Sequence, residues 1–271
     1  MLPLTVGAAL RVASLDTHRD WLIEGQRDLE IQDFFSAEVL DGDYTALVAL
    51  AKRHLDGHTG RVGIHGPFWG FTIHSRDPEI RRVVARRMDQ GLDACIALGG
   101  SHMVIHSPYS TWDHNNLDNY PDARDAVIDL VHDTLGAAVR KAENNGIVLV
   151  IENIEDVDPS ERLRLAESFG SDAVRLSIDT GHAMYAHGST GAPPVDYYVR
   201  SAGAMLAHVH LQDADGHADR HWAIGEGAIR WPSVFRAIAE EAPDARLVLE
   251  LRDDADIPAS MAYLEGLGLA K

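Results

Sequence analysis

Short apolar runs of strand-forming residues alternate along the chain with longer stretches of helical periodicity. Eight such runs are found, at residues 4–12, 29–34, 62–65, 103–106, 148–153, 174–179, 207–211 and 247–251. Between them lie helical stretches that include residues 78–98, 123–145, 159–169 and 231–241. Some carry start and stop signals, such as Asp77-Pro78 before one helix and Gly99-Gly100 after it. This alternation is typical of βα units arranged around a parallel sheet.

Two folds can accommodate this order of elements, a closed barrel and an open doubly wound sheet. Eight units in 271 residues suit a closed (β/α)8 TIM barrel. A doubly wound sheet normally has a glycine-rich phosphate loop after its first strand, whereas residues 13–17 read Ala-Ser-Leu-Asp-Thr. No linker, composition break or short repeat divides the chain. We therefore predict an α/β fold, a single TIM barrel domain spanning residues 1–271.

The charge of the chain limits its partners. With 42 acidic and 24 basic side chains the formal net charge is −18, which disfavours non-specific binding to nucleic acid and to an anionic membrane. No apolar run approaches the about 20 residues that span a bilayer, and the first residues lack the basic segment of a signal peptide. The one cysteine, Cys95, lies in an apolar run and is predicted to be a core residue. We expect a cytoplasmic protein.

The predicted strands end in side chains that bind metals or titrate. These residues are His65, His106, Glu152, Asp179, His210 and Glu250, with His182 following three residues after Asp179. In a parallel barrel the carboxyl ends of all strands meet on one face, where the active sites of this fold lie. A single histidine at a strand end is more often a hydrogen-bonded structural residue, but here six strand ends converge. The carboxylates would repel one another unless a cation held them, which predicts a metal centre.

Residues near the seventh predicted strand extend this set. Asp219 and His221 are one residue apart, so both side chains can point into one site, although an ordinary polar loop is the alternative. His208 and His210 share one face of their strand, and we take His210 as the ligand and His208 as its partner or a core residue. Residues 185–194 are rich in glycine and proline and are predicted to form a lid or a plain surface loop.

The ordered set of strand-end residues resembles the xylose-isomerase-like TIM barrels. This superfamily includes sugar isomerases, epimerases and the endonuclease-IV-type enzymes of AP endonuclease family 2, and the likeness covers mainly residues 62–251. By resemblance, both branches would hold a divalent metal through Glu152, Asp179, His210 and Glu250. The endonuclease-like branch adds five ligands and builds a trinuclear zinc site. In this chain the resemblance places them at His65, His106, His182, Asp219 and His221, and the first two discriminate best because mononuclear relatives usually lack them.

The nine-residue set favours a metal-dependent hydrolase that cleaves a phosphoester with a metal-bound hydroxide. Up to three clustered divalent ions suit displacement at phosphorus, with zinc favoured and manganese or iron as alternatives. The alternative function is a sugar or sugar-phosphate isomerase or epimerase with one functional metal. In that case Glu152 and Glu250 would form an acid/base pair, and His182 and Arg220 would bind substrate oxygens. A module that only binds metal is a third, non-enzymatic hypothesis.

Aromatic residues near the predicted site bear on the substrate. Phe68 and Trp69 follow one strand-end histidine, Tyr109 and Trp112 follow the next, and we predict that they wall a small-molecule pocket. Wedging into a base stack is the alternative, but the acidic segment around Trp112 would repel a DNA backbone. We therefore expect a small substrate, phosphorylated or a sugar, in preference to abasic DNA, and no membrane partner. The oligomeric state is left open.

Overall fold

The computed structural model describes residues 1–271, and in it eight parallel strands close into a barrel in the order β1 to β8. The strands are β1 (Gly7–Leu10), β2 (Leu29–Ile31), β3 (Val62–His65), β4 (His102–His106), β5 (Val148–Glu152), β6 (Val174–Asp179), β7 (Leu206–Leu211) and β8 (Arg246–Leu249). Pairing of Gly7 with Val248 joins β1 to β8 and closes the ring. The prediction of a TIM barrel is confirmed.

Helices connect the strands around the outside of this barrel. They are α1 (Leu15–Gly25), α2 (Ala37–Asp41), α3 (Thr45–His54), α4 (Pro78–Leu98), α5 (Thr111–Asn116), α6 (Ala123–Asn145), α7 (Pro159–Ser168), α8 (Thr180–Thr190), α9 (Val195–Ala202), α10 (Trp231–Glu241) and α11 (Ile257–Gly266). Short 3-10 turns occur at Val12–Ser14, Asp33–Phe35, Leu117–Asn119, Gly203–Met205 and Asp254–Asp256. None of the helices combines the length and the apolar character needed to cross a bilayer.

The limits of the long helix α4 follow from its flanking residues. Asp77 accepts the backbone N–H of Glu79 at 2.8 Å, and Pro78 occupies the first turn, where its missing N–H has no helical partner to lose. Gly99 ends the helix at a φ of 77°, a left-handed conformation that glycine adopts without strain. These are the limits that the sequence predicts for this helix.

The structure differs from the predicted limits at several strands and in one loop. β1 is limited to Gly7–Leu10 instead of residues 4–12, because Val12 already begins a 3-10 turn, and β5 and β8 end at Glu152 and Leu249 instead of at residues 153 and 251. β2 ends at Ile31 rather than at residue 34, because Asp33 begins a 3-10 turn and its carboxylate accepts the backbone N–H of Val12 at 2.8 Å. Residues 185–190 continue α8, so the prediction of a loop over the whole of 185–194 was wrong. A glycine suits the helix at this point, because a Cβ on Gly188 would lie 2.3 Å from the carbonyl oxygen of Gly216.

The interior contains two regions of different character. Apolar side chains fill the space between the barrel and its helices, and Cys95 belongs to this region. Its Sγ donates to the carbonyl oxygen of His102 at 3.3 Å, and burial raises the pKa of the thiol to about 12. Inside the barrel, by contrast, the fully buried side chains of Glu30, His102 and His208 form a polar layer. The presence of this polar layer requires an explanation, because burying polar groups costs free energy unless they are paired.

Candidate metal centre

The barrel brings the nine histidines and carboxylates of the sequence analysis together at its carboxyl-terminal face. They fall into three groups, and the potential ligand atoms of each group lie within 4.8 Å of one another. The central group is Glu152, Asp179, His210 and Glu250; the two flanking groups are His65, His106 and Glu152, and His182, Asp219 and His221. Glu152 belongs to two groups, so the three sites that they outline are contiguous.

The central group joins four successive strands. Glu152 and Asp179 are the last residues of β5 and β6, His210 lies in β7, and Glu250 follows β8 directly. The Nδ1 atom of His210 lies 3.3 Å from Glu152 Oε1 and 3.5 Å from Glu250 Oε2. His210 Nδ1 and Glu152 Oε2 are buried and have no hydrogen-bond partner. Buried nitrogen and oxygen atoms without a hydrogen-bond partner can serve as ligands of a divalent cation, which binds imidazole and carboxylate groups together.

The first flanking group lies at the ends of β3 and β4. The Nε2 atoms of His65 and His106 lie 3.7 and 3.9 Å from Glu152 Oε2. The Nδ1 atom of His65 is 2.9 Å from the carbonyl oxygen of Gly66, which can only accept, so the proton sits on Nδ1 and leaves the Nε2 lone pair free. Phe68 stacks on His106 with 4.2 Å between the ring centroids and limits its movement.

The second flanking group is held by backbone carbonyls. The Nδ1 atoms of His182 and His221 donate to the carbonyl oxygens of Asn153 and Glu250 at 3.0 and 2.9 Å. Their Nε2 atoms then face Asp219 Oδ1 at 3.5 and 3.1 Å. Hydrogen bonds of this kind fix the tautomer and orientation of histidines that bind metals.

The loop between β7 and α10 carries Asp219 and His221 to this group. Its base is anchored by Asp213, whose Oδ2 accepts from the Gly225 backbone N–H at 2.8 Å and from the Trp231 Nε1–H at 2.9 Å. Gln212 links the loop to the central group, because its side-chain amide donates to Asp219 Oδ1 at 3.0 Å and lies 3.2 Å from the carboxylate of Asp179. The loop is therefore fixed to the strand ends.

In the absence of a metal, protons on the histidines of the site compensate the negative charge of its buried carboxylates. Burial alone would raise the pKa of Glu152, but His210 and His182 beside it hold that pKa well below its usual range. Burial would likewise lower the pKa of His210, which the surrounding carboxylates, Glu250 first, raise well above its ordinary value. Burial raises the pKa of Asp179 to about 6. A divalent cation can replace the protons in compensating the carboxylates.

The residues predicted to contact the substrate are placed differently from one another. Phe68 and Tyr109 line a cavity of about 470 Å³ beside His106. Trp69 and Trp112 are 68% and 77% exposed and do not line this cavity. A role for these four residues in substrate binding stays a prediction.

Arg220 is directed toward another partner. Its guanidinium donates to both carboxylate oxygens of Asp215, with NH2 at 2.8 Å from Oδ2, and lies over the ring of Trp222 at 5.2 Å. It belongs to none of the three groups of potential ligands. A role for Arg220 in substrate binding stays a prediction.

Sequence reasoning missed residues that complete the site. A second cavity of about 750 Å³ opens beside Glu250 and His221 and is lined by donors from several elements. These donors include Arg11, Ser14, Thr17, Gln32 and Arg252. Arg11, Gln32 and Arg252 lie after β1, β2 and β8, whereas Ser14 and Thr17 lie in the 3-10 turn and helix α1 that follow β1. The sequence shows no distinctive pattern at these positions, so only the closed barrel reveals them.

Comparison with known proteins agrees with this architecture. The family model described as xylose isomerase-like TIM barrel matches residues 25–270. The chain is 24% identical over 220 residues to the uncharacterized protein MJ1311 of Methanocaldococcus jannaschii, which covers 78% of this chain and 71% of that protein.

Solved structures share the same fold. A D-tagatose 3-epimerase-like protein has a TM-score of 0.77 at 21% identity, with 97% of this chain and 96% of that chain covered. The TTHB071 protein of Thermus thermophilus, soaked with ZnCl2, has a TM-score of 0.72 at 26% identity, with 97% and 98% covered. Further structures of this fold are named as D-allulose or D-psicose 3-epimerases, at 14% to 17% identity. At such identities the epimerase structures establish a common fold.

Proposed function

The chain belongs to the xylose isomerase-like TIM barrel family, and from this premise we propose that it is a divalent-metal-dependent epimerase or isomerase of a sugar or sugar phosphate. The sequence analysis ranked this function second, behind phosphoester hydrolysis. The comparisons support it better than hydrolysis, because several structures that share this fold are named as sugar epimerases or as epimerase-like. Both hypotheses, the epimerase or isomerase and the hydrolase, make the protein an enzyme.

The observation that carries the proposal is the placement of Glu152 and Glu250 around one histidine. Their oxygens approach His210 Nδ1 to 3.3 and 3.5 Å from two strands that are not neighbours, β5 and β8. A divalent ion held by the central group would polarise the carbonyl and hydroxyl oxygens of a bound sugar. One carboxylate would remove the proton from the carbon beside the carbonyl, and the other, in its carboxylic acid form, would deliver a proton to the same carbon of the enediolate.

The cavities beside the central group suit a small polar substrate. The cavity next to Glu250 offers hydroxyl and guanidinium donors, which are appropriate partners for sugar hydroxyl groups. The cavity next to His106 has the aromatic wall of Phe68 and Phe71, on which an apolar ring face can pack. Both volumes, about 750 and 470 Å³, lie in the range of small-molecule sites.

A second candidate function is hydrolysis of a phosphoester on a small molecule. It is favoured by the two flanking groups, since an isomerase needs one metal and leaves His65, His106, Asp219 and His221 without an assigned role. Clustered divalent ions stabilise both the attacking and leaving oxygens of a displacement at phosphorus. Zinc, manganese and iron all suit these donors, and we propose between one and three ions.

Metal stoichiometry tests the two functions. Elemental analysis of protein purified without added metal should give about one divalent ion per chain for the epimerase. The protein is then supplied with ketoses and their phosphates in deuterium oxide, and proton exchange at carbon is followed by NMR. Two or three ions, no exchange and release of phosphate from mono- or diesters would establish the hydrolase instead.

A further inference from the structure

Strand β2 contributes no residue to the three groups at the metal centre, yet Glu30 within it and Gln32 just after it both reach the central group. The Oε1 atom of Glu30 accepts from His210 Nε2 at 3.0 Å. The side-chain amide of Gln32 donates to Glu30 Oε1 at 2.9 Å and to Glu250 Oε1 at 2.8 Å. Glu30 and Gln32 are two residues apart on the chain, so they point to the same side of the strand.

These contacts determine which atoms of His210 and Glu250 face a metal. An ionised carboxylate only accepts hydrogen bonds, so the bond to Glu30 keeps the proton of His210 on Nε2. When a metal displaces the other proton of His210, the lone pair is therefore on Nδ1, the atom that faces Glu152 and Glu250. The amide of Gln32 engages Glu250 Oε1, which leaves Glu250 Oε2 on the side of His210 Nδ1.

The polar layer below holds Glu30 in place. His208 Nε2 lies 3.2 Å from Glu30 Oε2, and His208 Nδ1 lies 2.8 Å from the hydroxyl of Ser177. His102 Nε2 lies 4.0 Å from Glu30 Oε2. The ring of His102 fits because position 63 is glycine, where a Cβ would lie 2.1 Å from its Cε1 atom. The interior is thus shaped around the carboxylate of Glu30.

A purely structural role explains this arrangement less well. Glu30 is fully buried, and the titratable groups within 4.0 Å of its carboxylate are histidines, with no lysine or arginine among them. A core that only had to be filled would be more stable with apolar residues at these positions. Histidines that bind metals commonly donate their second N–H to a carboxylate, and that partner affects metal affinity strongly.

We infer that Glu30 and Gln32 are positioning residues that orient His210 and Glu250 toward the divalent ion of the central group. The inference rests on the metal-dependent function proposed above and adds to it the residues that prepare the site. Neither residue touches the substrate in this role. Both act through the ligands that they hold.

The test compares Glu30→Gln with the wild-type protein and with Asp33→Asn. The control removes a carboxylate from the same segment, one that accepts from the Val12 N–H rather than from a ligand. Metal-free protein is titrated with Co²⁺ in competition with a chelator, and the visible absorption of bound Co²⁺ reports its coordination. We expect Glu30→Gln to weaken the affinity of the central group about 10- to 100-fold and to alter the Co²⁺ spectrum. Asp33→Asn should reproduce the wild-type affinity and spectrum.

Three results would overturn the inference in different ways. Wild-type affinity and spectrum in Glu30→Gln would show that the carboxylate only fills the core. If Glu30→Gln does not fold, as judged by its melting temperature without metal, the decision passes to Gln32→Met. Wild-type Co²⁺ affinity in Gln32→Met would then contradict the inference, and weakened affinity would support it. Failure of the wild-type protein to bind Co²⁺ would overturn the proposed function together with the inference.

Discussion

Arg162 donates through Nε to Asp156 Oδ1 at 2.9 Å, and both side chains are fully buried next to the strand ends that carry Glu152 and Asp179. The NH1 group of Arg162 donates to the carbonyl oxygens of Ile151 and Ser177 at 2.7 and 2.6 Å. This one guanidinium therefore holds together the ends of β5 and β6. The pair is structural, but it lies directly behind two residues of the central group.

Replacing Arg162 should destabilise the whole barrel. In Arg162→Met the carboxylate of Asp156 loses its cation in a buried position, which costs about 3–5 kcal/mol of the free energy of unfolding. Urea unfolding measures this loss. The matched control is Arg164→Met on the same helix, whose exposed pair with Asp125 contributes less than about 1 kcal/mol. Equal losses in the two variants would contradict the buried ion pair as a major contributor.

Phe68 and its neighbour Trp69 should differ in their effect on substrate binding. Phe68 stacks on His106 and lines the 470 Å³ cavity, whereas Trp69 is 68% exposed. Loss of an aromatic contact costs about 0.5–1.5 kcal/mol, so Phe68→Ala should raise KM roughly 2- to 10-fold. Trp69→Ala should change KM less than Phe68→Ala. A larger rise in KM for the exposed tryptophan would place the substrate outside the cavity.

Metal affinity should increase with pH. Burial would lower the pKa of His221, but its hydrogen bond to Asp219 and the charge of Glu250 raise that pKa to about 9 in the metal-free protein. Below this pH a metal must displace the proton of His221, so affinity should rise about tenfold per pH unit for each proton displaced. Below about pH 6, protonation of Asp179 should weaken binding further.

Chelator competition between about pH 5 and pH 10 measures this dependence. Calorimetry in two buffers with different ionisation enthalpies counts the protons released on binding. Affinity that does not change over this range, with no proton release, would mean that these side chains do not bind the ion.

The fold was largely predictable from the sequence, because the residues that begin and end its helices and strands mostly act on their immediate neighbours. The long helix α4 has its cap at Asp77 and its terminating glycine at Gly99, and each acts within a few residues of the helix end. The end of β2 was not predictable in the same way. The sequence predicts a strand that extends to Phe34, but the bond from the Val12 N–H to Asp33, 21 residues away, turns the chain before that residue.

The candidate site was predictable to the extent that it lies at strand ends. His65 and Asp179 are the last residues of clearly apolar runs, so the barrel alone brings them to one face. Glu30 could not be found in that way, because an acidic residue inside a short strand gives no indication of its partner. That partner, His210, is 180 residues away and is met only when the barrel closes.

Variants of Glu250 and His106 should separate the two candidate functions. In the proposed epimerase Glu250 takes part in proton transfer, so Glu250→Gln should lower the rate of proton exchange at the substrate carbon about 10²- to 10⁴-fold. His106 lies in a flanking group, so His106→Ala should leave most of that rate intact. His132→Ala is the matched control, because this histidine stacks on Phe169 and belongs to none of the three groups of the metal centre.

A phosphoesterase predicts a different result for His106→Ala. A hydrolase that uses all three groups needs His106 for one of its ions, so His106→Ala should abolish phosphate release and remove about one equivalent of metal. Elemental analysis of each variant beside its rate distinguishes loss of an ion from loss of an acid/base group. If the wild-type protein shows no proton exchange at carbon and His106→Ala abolishes its release of phosphate, the epimerase proposal fails and the flanking groups become part of the catalytic site.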